Sequence, residues 1–249
     1  MSAMMLAKAA CLMTASASYV LCALPPPSSK TVNAQKDDKI VHEDWLIKLN
    51  VNKASVIMAS IGVLETALYI LLMIRGAVIS NDVAIQQLQE LKPWHLVMTG
   101  LCLAGFGLRK WSFISLDRFF TYQLTIRSGH RLVQSGPYTF LRHPSYTGAT
   151  LNSICFHILL LSDGLWDVIV LFLSRAIMAV TQSKTYATAI PSSFMGIGGG
   201  TWLAAIYAYM WISMLSIRVK NEERMLKEHF GREWDEYASK RWRFIPLVY

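Results

Sequence analysis

Arg142-His143-Pro144-Ser145-Tyr146 and, well downstream, the pair Arg218 and Glu222 are the residues whose types and spacing suit chemistry. Pro144 fits the first position of a helix, where a missing N–H costs nothing and the fixed φ is already helical. His143 then stands at the helix boundary, with Ser145 and Tyr146 in the first turn. The backbone N–H groups there have no helical partners and attract a carboxylate. A lone histidine at such a boundary commonly serves as a cap or a packing group. That reading weakens where Arg142, His143 and Tyr146 stand together beside a basic loop. Arg218 and Glu222 are four residues apart and share one face of a helix. On an exposed helix such a pair is a minor ion pair, contributing less than about 1 kcal/mol.

The elements that must position these groups are apolar. The chain has 249 residues, 53% of them hydrophobic and 16% charged, and the apolar residues come in blocks: 4–24, 55–74, 94–108, 145–162 and 197–217. Most approach the ~20 residues that cross ~30 Å of hydrocarbon, the third being the shortest. The expected fold is therefore all-α, a multi-pass helical membrane protein with about five transmembrane helices. Between the third and fourth blocks, residues 118–146 form a polar, basic, aromatic insert. Beside hydrocarbon spans, that much hydrogen-bonding side chain marks a place that binds or transforms something.

Net charge is +8. The basic residues cluster next to the apolar blocks, so anionic lipid headgroups, rather than nucleic acid, are the expected partner. Cys11, Cys22, Cys102 and Cys155 all lie inside apolar blocks without Cys-x-x-Cys spacing, which gives no indication of a disulfide framework or a zinc site. Arg109, Lys110, Arg118, Arg127, Arg131 and Arg142 mark the insert as cytoplasmic, and the cations from Arg218 to Arg243 mark the tail likewise. An even number of crossings must then separate insert and tail. Residues 165–180 are expected to be interfacial or re-entrant, and the N-terminus lumenal.

Residues 1–24 combine Lys8, an apolar run and small residues, a signal-like pattern with a core longer than usual. A first membrane helix is expected, with cleavage as the alternative. The prolines at 25–27 end it, and residues 30–53 are expected to be a loop, with an interfacial turn at Trp45-Leu46-Ile47. Glu65, inside the second block, should face protein or water. The glycines at 196–200 lack the preceding strand and spacing of a nucleotide loop, and suit close helix packing instead. The tail helix should stop near Gly231.

Taken together, His130-Arg-Leu-Val-Gln-Ser-Gly-Pro-Tyr138, Arg142-His-Pro-Ser-Tyr-Thr-Gly148, and Glu222-Glu223 with Leu226, Phe230-Gly231, Trp234 and Tyr237 closely resemble the isoprenylcysteine carboxyl methyltransferase family. The resemblance covers about 95–160 and 197–249. It implies that residues 1–94 are N-terminal membrane helices and connecting loops and that 95–249 form a methyltransferase core with a variable insertion at 163–195. It also implies a cytosolic S-adenosylmethionine pocket closed by the C-terminal tail, in the endoplasmic reticulum membrane, with no metal. Carried over by motif, the cofactor contacts are Gln123, His130, Arg131, Leu132, Val133, Tyr138, His143, Pro144, Ser145, Tyr146 and Glu222. Arg218 would bind the substrate carboxylate, and Arg218 with Glu222 would be catalytic. The acceptors implied are prenylated protein C-termini or small prenylcysteines.

The chemistry suits such a site. A cysteine α-carboxylate, with a pKa near ~3.5, is already ionised at neutral pH and attacks a methyl group without a general base. Catalysis is then chiefly in-line positioning. Arg218 offers a planar two-point fork for a carboxylate, which lysine does not. Arg142-His143-Pro144 and the Trp-x-x-Tyr tail also resemble NADPH-dependent sterol reductases, the alternative enzyme, and related motifs occur in phospholipid N-methyltransferases. A multi-pass scaffold is the non-enzymatic alternative.

Overall fold

The computed structural model describes residues 2–24, 39–40, 51–79, 88–120, 125–126, 129–162, 165–182, 193–195 and 197–245. Gln123, Arg127 and the turn expected at Trp45-Leu46-Ile47 lie outside them, as do residues 80–87 between the second and third apolar blocks and residues 183–192 of the insertion. The described chain is mostly helical: α1 (Ala3–Ala23), α2 (Val51–Ile79), α3 (Pro93–Leu116), α4 (Pro144–Leu161), α5 (Leu165–Thr181), α6 (Gly199–Phe230) and α7 (Arg232–Ser239). Two strand pairs of two residues each accompany the helices. β1 (Lys39–Ile40) pairs antiparallel with β2 (Thr125–Ile126), and β3 (Ser193–Phe194) pairs with β4 (Ile197–Gly198). The loop expected at 30–53 thus contains a strand that binds the central insert.

Among the described residues, three helices are long and apolar enough to cross a membrane: Ala3–Ala23, Val56–Arg75 and Gly199–Phe230. The other two expected spans also form helices, of 24 and 18 residues. Their apolar runs are diluted by polar residues such as His95, Arg109, Asn152 and His157. The α5 helix has 17 residues, short of the ~20 a span requires.

The described residues divide into two units. One comprises Met1–Ala17, Gly62–Cys102 and Ser153–Met210. In it Lys8, whose charge looked signal-like in sequence, is buried; its Nζ donates to the Glu90 carbonyl at 2.8 Å and lies 5.4 Å from the Tyr69 ring centroid. A buried ammonium needs such partners. Glu65 faces protein as expected, its Oε2 lying 4.0 Å from His157 Nε2. The His157 ring stacks on Tyr207 at 3.6 Å. Gly200 opens α6 where an added Cβ would collide with the Leu161 carbonyl, so this glycine does serve close packing.

The second unit comprises Ser18–Ile61, Leu103–Asn152 and Trp211–Tyr249. Here α3 and α4 touch through glycines: a Cβ on Gly148 would come within 2.5 Å of the Gly105 carbonyl oxygen and 2.7 Å of the Arg109 nitrogen. That contact sets the depth of α4 and of the residues at its start. Arg109 secures it, with Nε donating to the Cys22 carbonyl at 2.8 Å and Nη1 to Ser145 Oγ at 3.2 Å. Gly231, at φ 55°, ends α6 as expected, and α7 follows at once.

Candidate active site

Within the second unit, Pro144 begins α4, and His143 stands just before it with its side chain buried. The imidazole is held by two carboxylates from consecutive residues of α6: Nε2 lies 3.0 Å from Glu223 Oε1, and Nδ1 lies 3.5 Å from Glu222 Oε1. One turn into α4, the Tyr146 hydroxyl donates to Glu222 Oε2 at 2.5 Å and accepts from Arg218 Nε at 2.8 Å. Arg218 and Glu222 share a helix face, as their spacing requires, and meet on one phenol oxygen. The result is a chain of alternating donors and acceptors: Arg218, Tyr146, Glu222, His143 and Glu223.

The C-terminal segment completes the arrangement. Trp242 forms a parallel bridge with Leu141. The Arg142 N–H donates to the Trp242 carbonyl at 2.8 Å, and the His143 N–H donates to the Arg243 carbonyl at 3.2 Å. Thr147 Oγ1 donates to the Phe244 carbonyl at 2.8 Å. Backbone groups of residues 140–143 that would otherwise lack partners are thus paired by the tail. Arg243 forms a two-point ion pair with Glu223, its Nε at 3.1 Å from Oε1 and its Nη2 on Oε2. Arg142 Nη1 adds a contact at 3.7 Å. Arg241 donates to the Tyr138 carbonyl at 2.8 Å and to Gln134 Oε1 at 3.0 Å, binding the tail to the insert as well.

These contacts fix the charges. His143 and Glu223 both lie outside the apolar stretch that ends at Ile217. Burial pushes the His143 imidazolium toward losing its proton, but the Glu222 and Glu223 carboxylates outweigh it and leave the pKa raised above 6.5. Burial also works to raise the Glu223 carboxyl, while the hydrogen bonds from His143 and Arg243 prevail and hold it down at about 2. The site is therefore an interleaved set of full charges, in which each buried charge is matched by a hydrogen-bonded opposite.

Next to the insert, Ser115, Leu116, Asp117, Arg118, Phe119, Arg131, Val133, Gln134 and Ser135 line a cavity of about 640 Å³. Its volume falls in the range of small-molecule sites, and its lining combines cations, a carboxylate, amide and hydroxyl groups. A zwitterionic nucleoside-containing cofactor such as S-adenosylmethionine fits that donor set and volume.

The structure groups the residues singled out in sequence as follows. Arg218, Tyr146, Glu222 and His143 form one hydrogen-bonded network, and Arg131 and Val133 reach the cavity. His130 is sandwiched in an aromatic cluster, 5.0 Å from Phe119 and 5.7 Å from Phe230 by ring centroids. Tyr138 is buried under the tail, Leu132 is half-buried, and Pro144 and Ser145 are buried at the start of α4. Ser145 Oγ accepts from Arg109, a structural contact the sequence reading did not foresee. Two participants were missed as site residues. Glu223 was visible as the second of two consecutive glutamates, and Arg243 as a cation in the aromatic ending. Only tertiary pairing reveals that they bind each other.

Fold and site together define a helical protein with membrane-length apolar helices and a charged, tail-closed site where the last apolar helix turns polar. Residues 98–187 match the family model described as the isoprenylcysteine carboxyl methyltransferase (ICMT) family, the family that the motifs of this chain resemble. Protein-S-isoprenylcysteine O-methyltransferase B of Arabidopsis thaliana is 28% identical over 159 residues, covering 62% of this chain and 61% of that protein. The protein-S-isoprenylcysteine O-methyltransferase of Dictyostelium discoideum is 26% identical over 164 residues, covering 64% and 53%. The chain thus spans less than two thirds of these relatives. A Delta(14)-sterol reductase of Gibberella zeae is 25% identical over 130 residues, covering 52% of this chain and 26% of the reductase.

Proposed function

We propose that this protein transfers a methyl group from S-adenosylmethionine to the C-terminal α-carboxylate of a prenylated cysteine, giving a methyl ester. The observation that carries the reading is Arg218. It stands where the apolar stretch of α6 ends, and its guanidinium is held through Nε by a phenol that Glu222 in turn orients. A lipid-anchored carboxylate reaching the membrane surface meets a cation whose plane is already set, so less rotamer entropy is lost on binding.

When bound, S-adenosylmethionine supplies an electrophilic methyl group on a positively charged sulfur. His130, Arg131, Leu132, Val133 and Tyr138 from the insert would hold it, together with Gln123, His143, Pro144, Ser145, Tyr146 and Glu222. Arg218 binds and orients the acceptor carboxylate. Tyr146 keeps Arg218 in place, and Glu222 supplies the countercharge that keeps both oriented. No residue has to remove a proton, since the acceptor is already an anion at neutral pH. The tail segment 241–244 pairs with the start of α4 through Arg142, His143 and Thr147, and the burial of His143 there strengthens its interactions with the two carboxylates.

The partial match to a sterol reductase makes NADPH the competing ligand. Isothermal calorimetry on the purified protein should detect S-adenosylhomocysteine binding and none of NADPH. A radiolabelled methyl-transfer assay should then label farnesylcysteine or geranylgeranylcysteine analogues and leave phosphatidylethanolamine unlabelled. Binding of NADPH alone, or label in the phospholipid, would sink the reading.

The same reading sets the chain in the endoplasmic reticulum membrane with five crossings by α1, α2, α3, α4 and α6. The site faces the cytosol, and α5 lies along the interface. Glycosylation tags inserted at Lys184 and in the α2–α3 connection test this arrangement. A tag at Lys184 should be modified, because α4 has then crossed to the lumen and α5 has not returned. Absence of sugar there, with the tag demonstrably in the cytosol, overturns the five-span order.

A further inference from the structure

Glu65 takes no part in the proposed methyl transfer. It sits midway along Val56–Arg75, the 20-residue apolar stretch of α2, and so near the middle of a bilayer that α2 crosses. An isolated carboxylate at that depth loses its hydration without compensation, and such a group takes up a proton instead. The neighbouring side chains show where that proton goes. His157 of α4 holds its Nδ1 2.8 Å from the Ser153 carbonyl oxygen. A carbonyl only accepts, so Nδ1 carries the hydrogen, and a neutral ring then presents Nε2 as an acceptor. Nε2 faces Glu65 Oε2 at 4.0 Å. Oε2 is buried and, among the described residues, has no hydrogen-bond partner. Two acceptors turned toward each other need a hydrogen between them. The ring is held in that orientation by stacking on Tyr207 of α6 at 3.6 Å, while the Tyr207 hydroxyl shares a hydrogen bond with Ser153 Oγ.

We propose that Glu65 and His157 form a proton-binding site inside the membrane, in which a neutral Glu65 carboxyl donates its O–H to His157 Nε2. A change in the Glu65 side-chain torsions closes the 4.0 Å separation to hydrogen-bonding distance. The bound proton ties α2 to α4, and the bond between Ser153 and Tyr207 carries the tie on to α6. One turn along the same face of α2, Tyr69 has the Lys8 ammonium of α1 5.4 Å from its ring centroid, and that ammonium donates to the Glu90 carbonyl at 2.8 Å. Lys8 is thus engaged away from Glu65 and is not its countercharge. An imidazolium–carboxylate pair in the same place would desolvate two full charges, which the neutral pair avoids. The site rests on α2 crossing the bilayer and is independent of the cofactor and the acceptor.

Two carbodiimides test the site on the whole chain in phosphatidylcholine vesicles, with adducts located by peptide mass spectrometry. Dicyclohexylcarbodiimide partitions into hydrocarbon and modifies protonated carboxyls. The Glu65 side chain, 33% exposed and flanked by the exposed Leu64 and Leu68, is open to it. A water-soluble dimethylaminopropyl carbodiimide with glycine ethyl ester reports carboxyls in contact with water. At neutral pH the first reagent should form an adduct at Glu65 and the second should not. Raising the pH should extinguish the adduct. His157→Phe keeps a ring to stack on Tyr207 and removes the acceptor, so the adduct should vanish about one pH unit earlier, the weight of one hydrogen bond to the neutral acid. An ion pair predicts the opposite direction, because removing an imidazolium favours the proton on Glu65. Absence of the hydrophobic adduct in the wild type, or modification of Glu65 by the water-soluble reagent, overturns the site. A midpoint that stays in place or moves to higher pH in His157→Phe overturns the pairing. Neither reagent needs cofactor or acceptor, so failure here leaves the proposed methyl transfer standing, and failure of methyl transfer leaves this site standing.

Discussion

Arg218→Lys is expected to lower methyl transfer on the order of a hundredfold while S-adenosylhomocysteine binds within about twofold of wild type. The size follows from two losses. A lysine at 218 keeps the charge but presents one point instead of a fork, which forfeits a charge-assisted hydrogen bond to the carboxylate. It also cannot reproduce both the contact with Tyr146 Oη and a two-point grip on substrate, since Arg218 meets the phenol through Nε at 2.8 Å. A loss of about 2–3 kcal/mol in transition-state stabilisation corresponds to roughly 30- to 150-fold in rate. Turnover measured under saturating cofactor, with cofactor affinity measured separately by calorimetry, distinguishes an acceptor clamp from a cofactor contact. Wild-type turnover in this variant would remove Arg218 from the acceptor site. A large fall in cofactor affinity would reassign it to the cofactor.

What the sequence made legible here was local. Pro144 fixes the start of α4, Gly231 ends α6, and the four-residue spacing of Arg218 and Glu222 puts them on one face, because each follows from backbone geometry within a turn or two. Apolar block length located the helices, with 94–108 lengthening to Pro93–Leu116 once a helix could continue past its apolar core. Long-range pairing was out of reach. Nothing in the pattern around Lys39 announces that it will pair with Ile126, and nothing in Trp242-Arg243-Phe244 announces a bridge to Leu141. A two-residue strand carries no periodicity to read. Lys8 shows the same limit from the other side. Its charge near a chain start reads as a targeting feature, while the folded chain buries it on a carbonyl and a ring.

The site divides along the same line. His143, Tyr146 and Glu222 were identifiable from motif and helix position, yet the sequence could not say that they form one continuous hydrogen-bonded chain through a phenol.

Glu223→Gln is expected to be the most destabilising single change in the site, on the order of 3 kcal/mol. It leaves Arg142, His143 and Arg243 around a neutral amide, and breaking a desolvated ion pair costs the unpaired charge its compensation. The tail should loosen first, because Arg243 loses its two-point partner. The pH dependence carries the signature. Glu223, depressed to about 2 in the folded state, contributes stability that is present above the ordinary carboxylate pKa near ~4.3 and is lost as pH falls toward 2. His143, raised above 6.5, contributes stability that is present below 6.5 and is lost as pH rises through its folded value. Wild-type thermal stability in detergent should therefore be highest between the two and fall on either side. In Glu223→Gln the acid limb should flatten and the alkaline limb should shift to lower pH, as His143 keeps only Glu222. An unchanged profile by scanning fluorimetry would show that Glu223 does not hold the tail, and that residues 241–244 close the site through backbone pairing alone.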